Sequence, residues 1–365
     1  MRKHLFVSVA GIVSMAVVLF SAASCSNSKS RFLHQVKEFS FNENERVLTG
    51  VPTGLEYEGF VEESLIIDSL LICQVEEPEG YINVYRLSDF SLKTTLCPLG
   101  RARNEFSFPF KLLTQYYQRD GETFFLVVDK ANYVKEINLS QSLAQGTTVV
   151  SDMAETPSFY DNHNVLYLNN NIRQLFKTNH NEQHADDELY LEYWVDDKVN
   201  NYTKKIDVFS KPMDKDDEGV NDFSYGAFIK HPQKNLFAQP CQLMDYIIYF
   251  DIDNDKVFAV HREGKPTFDD LAPDGRHLIY SRFTFATSDY VLANYLVEVG
   301  DDKQEYYLLV FDWEGNFKGG AKYSPSVLSF VYDEKQNVLY GWEEYDPRET
   351  ATEKLYKFDL NGFLN

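Results

Sequence analysis

The sequence has few basic residues for its length. Its 365 residues include 35 Lys and Arg against 56 Asp and Glu, which gives a formal charge of −21. Nucleic-acid binding needs a basic face, and adsorption to anionic lipid needs clustered basic residues, so this composition argues against both. The hydrophobic fraction of 44% is ordinary for a folded protein and excludes wholesale disorder.

Cysteine is also scarce, and no C-x-x-C spacing is present. Of four cysteines, one is Cys25 and the others are Cys73, Cys97 and Cys241. We expect Cys73 and Cys97 in one sheet with a strand between them, roughly 10 Å apart. That separation exceeds the limit of about 7 Å between Cα atoms for a disulfide. The sequence therefore predicts three buried, apolar thiols and no cysteine metal site.

Familiar catalytic motifs are missing as well. The chain has no G-x-S-x-G nucleophile turn, no phosphate-binding loop and no dinucleotide glycine fingerprint. Asp251–Asp255 lacks the glycine and glutamate of a calcium loop, because Lys256 and Arg262 stand in those places. We interpret it as a hairpin turn and Asp214–Gly219 as a solvated loop. His180 and His184 lie four residues apart but form no H-E-x-x-H motif. No catalytic residue, metal or cofactor is predicted.

The N-terminus has the pattern of an export leader. Met1–His4 is basic, Leu5–Phe20 is largely apolar, and small residues precede Cys25. The apolar run is short for a membrane-spanning helix, which needs roughly 20 residues. With its cysteine, this segment resembles a bacterial lipoprotein signal, and the resemblance implies cleavage before Cys25 and lipidation of that residue. The alternative is an ordinary signal peptide cut near Ala23.

This interpretation divides the chain into a leader (1–24), a lipid-anchored tether (25–32) and a folded domain (33–365). Loss of Arg2 and Lys3 with the leader takes the charge from −21 to −23. Ser26–Arg31 is polar and lacks the acidic run that directs Bacteroides-type lipoproteins to the cell surface. We therefore expect an outer-membrane lipoprotein on the periplasmic face, in contact with the membrane through its anchor alone.

Strand patterns dominate the rest of the chain, and only Ser140–Ala144 suggests a helical turn. Short runs rich in β-branched and aromatic residues end at turn residues. One recurring pattern, interpreted as the third strand of a repeated unit, has six copies: Tyr81–Ser88, Tyr133–Ser140, Lys204–Phe209, Lys256–His261, Tyr306–Trp313 and Leu355–Leu360.

A period of about fifty residues with six copies predicts an all-β, six-bladed β-propeller of four-stranded antiparallel blades. The longer second interval suggests an insertion at Asn179–Tyr202. We expect Phe39–Asn42 or Glu45–Leu48 to complete the last sheet and close the ring. A large β-sandwich or two stacked β domains are the alternatives.

Two segments carry a family resemblance. Leu271–Tyr280 resembles the turn between the first two strands of a TolB-type blade. Pro98–Phe106 resembles a loop of the TolB-like six-bladed propeller lipoproteins of Bacteroidetes, with Ala102 and Arg103 departing from the pattern. The matching residues are Gly100, Arg101, Asn104, Glu105 and Phe106. The resemblance implies a fold and an envelope location but no assigned activity.

Two further groups of residues are candidates for a site. The acids at strand ends are Asp68, Asp129, Asp251 and Glu343. The aromatic residues near predicted loops are Phe106, Phe108, Phe110, Tyr116, Tyr117, Tyr225, Phe283 and Phe285. The aromatics either form a binding platform or fill the wedges between neighbouring blades, and we favour packing.

Taken together, the sequence predicts a monomeric, non-catalytic module that binds an unidentified protein or small molecule. The negative charge favours a basic or neutral partner and disfavours nucleic acid. A metal-dependent hydrolase or lyase at the mouth of the propeller channel is the alternative, and a purely structural envelope component is a third possibility.

Overall fold

A computed structural model describes most of the folded part of the chain. The described residues are 30–42, 46–77, 79–108, 110–130, 133–155, 166–168, 173–180, 188–197, 202–209, 213–214, 228–242, 244–270, 285–298, 304–343 and 352–363. The predicted leader, Cys25 and the turn at Leu271–Tyr280 lie outside these ranges. No helix among the described residues is both long and apolar enough to cross a membrane.

The described residues form β-strands almost throughout. The N-terminal part holds β1 (Gln35–Phe39), β2 (Val47–Thr49) and β3 (Val51–Glu58). Sheet I holds β4 (Ser64–Ile67), β5 (Leu70–Glu77), β6 (Gly80–Arg86) and β7 (Leu92–Leu96). Sheet II holds β8 (Phe110–Arg119), β9 (Glu122–Asp129), β10 (Tyr133–Asn138), helix α1 (Leu139–Gln145) in the connection, and β11 (Val150–Glu155).

Four further sheets follow in chain order. Sheet III holds β12 (Leu166–Leu168), β13 (Arg173–His180), β14 (Glu188–Asp197), β15 (Tyr202–Ile206) and β16 (Met213–Asp214). Sheet IV holds β17 (Ile229–Lys230), β18 (Leu236–Pro240), β19 (Tyr246–Asp251) and β20 (Lys256–Arg262). Sheet V holds β21 (Phe285–Ala286), β22 (Tyr290–Glu298), β23 (Gln304–Asp312) and β24 (Phe317–Ser324). Sheet VI holds β25 (Val327–Asp333), β26 (Val338–Glu343) and β27 (Thr352–Asp359).

The sheets stand side by side around an axis. Successive strands within a sheet pair as antiparallel neighbours, so the first strand lies at one edge. These first strands lie beside one another from sheet to sheet: β17 beside β21, β21 beside β25, β25 beside β4, and β4 beside β8. Radial repetition of small antiparallel sheets defines a β-propeller. The all-β propeller predicted from the sequence is therefore confirmed.

Buried side chains fill the wedges between neighbouring sheets. Between sheets IV and V, Tyr249 packs in one cluster with Leu309. Between sheets VI and I, Trp342 and Leu71 belong to another cluster. Both faces of an inner strand are thus covered, and this explains why β19 is apolar at successive positions from Tyr246 to Phe250 rather than at alternate ones.

The ring is closed by the N-terminal part of the chain. Strand β3 pairs antiparallel with β27 and supplies the fourth strand of sheet VI. The prediction that Phe39–Asn42 or Glu45–Leu48 would close the ring is wrong, because strands in those regions pair elsewhere. Strand β1 adds in parallel to β20, and β2 adds in parallel to β24.

These additions also correct the predicted blade. Sheets IV and V have a fifth, parallel strand, and sheet III gains β16 beside β14, so the sheets are not uniformly four-stranded and antiparallel. Five sheets have described side chains on all of their strands. In sheet III only a few side chains are described, among them those of Tyr193 and Val195. The sixth blade therefore stays a prediction.

The structure also changes the rank of two repeated strands. The runs at Lys204–Phe209 and Lys256–His261 were expected as third strands, but they fall on β15 and β20, the fourth strands of their sheets. The expected insertion at Asn179–Tyr202 is wrong, since Glu188–Asp197 is the third strand, β14, of sheet III. Strand β20 is paired on both sides, by β19 and β1, and so has the same apolar pattern as a third strand, which the pattern alone does not separate from it.

Several local predictions are confirmed. Helix α1 covers the predicted turn, with the Asn138 side chain accepting a hydrogen bond from the Gln141 N–H. Asp251 forms a hairpin turn, accepting hydrogen bonds from the backbone and side chain of Asn254. The three cysteines are buried and free, with Cys73 on β5 and Cys97 just after β7.

The closing junction contains a buried carboxyl group whose ionisation opposes folding. Glu353 on β27 is 2% exposed and accepts a hydrogen bond from the Val61 N–H at 2.9 Å. Burial, together with the nearby Glu343 carboxylate, raises the pKa of Glu353 from 4.5 to about 7. Because the folded-state pKa is raised, its contribution to stability is complete below pH 4.5 and is lost as the pH rises through 7.

We therefore expect the melting temperature to fall between pH 4.5 and pH 7.5, and Glu353→Gln to flatten that fall. Glutamine keeps an acceptor for the Val61 N–H but carries no charge. Thermal unfolding followed by circular dichroism across this pH range checks the prediction, with exposed Glu38→Gln as the control. Equal pH slopes for Glu353→Gln and the unmodified protein would contradict it.

Candidate functional site

The segment between sheets I and II, residues 97–108, contains the family-like motif and is called the inter-sheet loop here. Its two ends are tied together. Leu99 forms a bridge with Phe106, the Gly100 N–H donates to the Phe106 carbonyl at 2.8 Å, and the Phe106 N–H donates to the Pro98 carbonyl at 2.8 Å. The backbone hydrogen bonds therefore hold the two ends of the loop together.

Glu105 holds the centre of this turn. Its Oε2 accepts the N–H groups of Arg101 at 2.6 Å and Ala102 at 2.9 Å, and these bonds lower the pKa of Glu105. A Cβ atom on Gly100 would lie 1.9 Å from the same oxygen. Gly100 and Glu105 therefore act as one structural unit, because the carboxylate occupies the space that any side chain at position 100 would need.

A buried ion pair in sheet II contacts the backbone of the loop. Lys135 on β10 and Asp129 at the end of β9 are both buried, with Nζ and Oδ2 2.7 Å apart. Lys135 Nζ also donates to the Glu105 carbonyl at 2.7 Å and lies 4.2 Å from the centre of the Phe106 ring. Asp129 Oδ1 accepts the Ser107 N–H at 2.9 Å. Two charges on the sheet thus fix the loop backbone.

Two apolar and two basic side chains of the loop are exposed to solvent. The side chain of Phe108 is 74% exposed and that of Leu99 is 50% exposed. Arg101 and Arg103 are exposed between them in the chain. We call these four residues the loop surface. Aromatic and arginine side chains of this kind are enriched where proteins bind one another.

The departures from the family pattern leave the turn intact. Ala102 uses its N–H to bind Glu105, and neither Ala102 nor Arg103 has a positive φ, so glycine is not required there. Asn104 is exposed. The motif residues therefore shape the loop. The lipidation candidate Cys25 lies outside the described residues.

The acids at strand ends do not come together. Asp68 pairs with Lys335 at 3.0 Å across the turns of sheets I and VI, Asp251 shapes a hairpin, and Asp129 is bound to Lys135. Within the described ranges, no group of three His, Cys, Asp or Glu side chains is placed to hold a metal ion. His180 lies on strand β13, while His184 falls outside the described residues.

The aromatic candidates divide between the two interpretations. Phe106 and Phe110 are buried and pack edge to face, as expected for filling between blades. Phe108, two residues from each, is exposed and belongs to the loop surface. Tyr225 and Phe283 lie outside the described residues. Sequence reasoning missed Lys135, and the signal that could have pointed to it was a lysine in the middle of a strand, directly after Val134.

Comparisons with known proteins find structural similarity only at low sequence identity. No protein-family model matches the chain, and no curated protein sequence matches it. Among solved structures, a protein of Bacteroides fragilis that is described as exported shares 10% identity over 89% of this chain and 98% of its own, with a TM-score of 0.48. A calcium-binding regucalcin from Agrobacterium tumefaciens shares 9% identity over 86% of this chain and 95% of its own, with a TM-score of 0.42.

A third solved structure is a gluconolactonase from Xanthomonas campestris. It shares 9% identity over 83% of this chain and 87% of its own, with a TM-score of 0.42.

Breaking the ion pair beneath the loop is expected to be costly. Lys135→Met leaves Asp129 buried without its counter-charge, which should lower the free energy of unfolding by ~3–5 kcal/mol. Adding Asp129→Asn should recover more than half of that loss, because asparagine still accepts the Ser107 N–H. Urea unfolding of both variants measures the effect.

The control is an exposed ion pair, Lys204 with Asp255. Lys204→Met should change the free energy of unfolding by less than ~1 kcal/mol. A loss of the same small size for Lys135→Met, or no recovery in the double variant, would show that the buried pair does not support the loop.

Proposed function

We propose that this chain is a lipid-anchored β-propeller of the bacterial envelope that binds a protein partner through the loop surface, without catalysis. In this proposal all six sheets act as blades, sheet III included, as in the TolB-like lipoproteins that the motif resembles. The observation that carries the proposal is the contrast within the inter-sheet loop. Its backbone is fixed by buried groups, while Leu99, Arg101, Arg103 and Phe108 are left in solvent.

A fixed backbone favours binding because little conformational entropy is lost when a partner docks. The Glu105 carboxylate and the Lys135 ammonium already hold the loop in one shape before any partner arrives. Exposed Phe108 then offers an apolar anchor at low entropic cost. Variation of exposed loop residues on a rigid scaffold is also how propellers change partners without disturbing the core.

The net charge of the chain and the two arginines of the loop surface indicate what kind of protein could bind. The chain as a whole is strongly acidic, which disfavours polyanions and favours a basic or neutral protein at long range. Screening limits such effects to about 8 Å at physiological salt. At contact distance the two arginines dominate, so the partner should present an apolar patch beside a carboxylate.

Crosslinking tests the loop surface. A photo-crosslinking amino acid at position 108, introduced in the native host, should give one adduct of discrete mass. The same probe at Leu92, which is 54% exposed on the outer strand β7, is the matched control and should not give it. Arg101→Glu with Arg103→Glu should reduce the adduct at least about tenfold, since one lost charged contact is worth about 1.4 kcal/mol or more.

A second control separates local from overall charge. Lys93→Glu with Lys265→Glu makes the same charge change at two exposed lysines elsewhere and should leave the adduct unchanged. If both double variants reduce the adduct equally, or if positions 92 and 108 give the same adducts, the loop surface is not the binding site.

The anchor is tested separately. Cys25→Ala should abolish incorporation of a labelled fatty acid and move the protein out of the detergent-soluble membrane fraction, because the thiol that carries the lipid is gone. Ser26→Ala is the control and should behave as the unmodified protein. Labelling that persists in Cys25→Ala would contradict the lipid anchor but would leave the loop surface untested by that experiment.

A further inference from the structure

Two lysines are buried among the described residues, and their surroundings differ. Lys135 is 3% exposed and is paired with Asp129. Lys230 is 9% exposed, and its Nζ donates to the His231 carbonyl at 2.8 Å. No carboxylate of the described residues pairs with Lys230. Buried ammonium groups are normally compensated by a carboxylate, so Lys230 is the exception that calls for an explanation.

The position of Lys230 places it near the axis of the propeller. It is the last residue of β17, which is the axis-side edge strand of sheet IV and lies beside β21. Phe228 packs in the cluster between sheets III and IV, whereas Ile229 packs in the cluster between sheets IV and V. Because side chains alternate along a strand, Lys230 lies on the same side as Phe228, toward sheet III.

The described charged groups around Lys230 do not neutralise its amine. His231 accepts hydrogen bonds at Nδ1 from the backbone of Gln233 and Lys234. Burial, with the positive charges of Lys234 and Lys230, lowers the pKa of His231 to about 4, so this imidazole is neutral, and Asp289 opposes that shift only in part. Burial lowers the pKa of Lys230 from 10.5 to about 8.

We propose that Lys230 is a reactive amine that captures small aldehydes as a Schiff base near the axis of the propeller. The proposal is independent of the loop surface and goes beyond it. A buried lysine with no paired carboxylate among the described residues is a stronger nucleophile near neutral pH than a solvated one, since more of it is unprotonated. Its slight exposure restricts the carbonyl compound to a small one.

The chemistry needs no further reagent. The unprotonated Nζ attacks the aldehyde carbon to give a carbinolamine. The carbon–oxygen bond then breaks, and the oxygen leaves as water with the two hydrogens of the amine. The product is an imine between the aldehyde carbon and Nζ, with no change in oxidation state.

Reductive trapping tests this proposal on the full chain. The protein is treated with limiting propanal and sodium cyanoborohydride between pH 6 and pH 10, and each lysine is quantified by peptide mass mapping. At pH 8 about half of a group with a pKa near 8 is unprotonated, against about 0.4% for an ordinary lysine. We expect alkylation of Lys230 to be at least about tenfold faster than that of exposed Lys93, with a midpoint near pH 8, and Lys135 to be the slowest.

Peptide mapping is essential because an α-amine titrates in the same range. Lys230→Arg should remove the fast component at that peptide. Alkylation of Lys230 at or below the rate of Lys93 at pH 8, or a midpoint near that of Lys93, would overturn the proposal, and so would a fast component that persists in Lys230→Arg. The rates within the unmodified protein decide the matter even if the variant fails to fold.

A second measurement examines the buried charge directly. Because the folded-state pKa of Lys230 is lowered, the charged form weakens the fold below pH 8, and this penalty disappears as the pH rises toward 10.5. Lys230→Met should therefore melt at a higher temperature than the unmodified protein at pH 7, and the difference should shrink by pH 10. A lower melting temperature for Lys230→Met at pH 7 would mean that the amine is compensated within the fold.

Discussion

Apolar side chains are buried between neighbouring sheets of this propeller, as between sheets IV and V and between sheets VI and I, and that burial governs the rest of the molecule. A sheet at the end of an open row would leave one apolar face in water, at roughly 25 cal/mol for each Å². The row must therefore close on itself. Sheet VI has three strands of its own, and β3 supplies the fourth before the chain enters sheet I. Trp342 and Leu71 then meet in the last wedge.

The inter-sheet loop follows from the same arrangement. The connection from the last strand of one sheet to the first strand of the next lies outside the apolar side chains packed between those sheets. Packing of the core therefore does not fix its backbone. Here the loop holds itself, through the Glu105 carboxylate, and is attached to sheet II by Lys135. The residues that shape the turn are thus different from the residues it presents. The motif residues Gly100, Glu105 and Phe106 therefore determine the backbone shape of the loop. They do not specify which side chains it exposes.

What could be predicted from the sequence was local. Apolar strands bounded by turn residues indicated an all-β repeat, and the hairpin at Asp251 and helix α1 depend on neighbours in the chain. The rank of a strand within its sheet could not be predicted, because Lys256–Arg262 is covered on both sides by β19 and β1 and has the pattern of an inner strand. The partners of β1 and β2 lie in distant parts of the chain, where no local pattern specifies a parallel register.

The candidate site shows the same limit. A lysine within a strand is normally solvated, so only the tertiary structure shows that Lys135 is buried with Asp129 and that Lys230 is buried with no described carboxylate beside it. The exposure of Phe108 between two buried phenylalanines also depends on how the loop turns. Alternation along the chain would have given Phe106, Phe108 and Phe110 the same surroundings.

The path of the N-terminal segment has a consequence for how the chain acquires its structure. Phe32 meets Phe209 beside sheet III, and the segment then pairs with sheets IV, V and VI in turn. During vectorial synthesis or export these first residues emerge before any of their partners exist. Sheets I and II can assemble early from hairpins that are close in sequence, whereas the leading segment waits with unpaired edges until the last strands arrive. During that delay the unpaired strand edges are open to pairing with other chains.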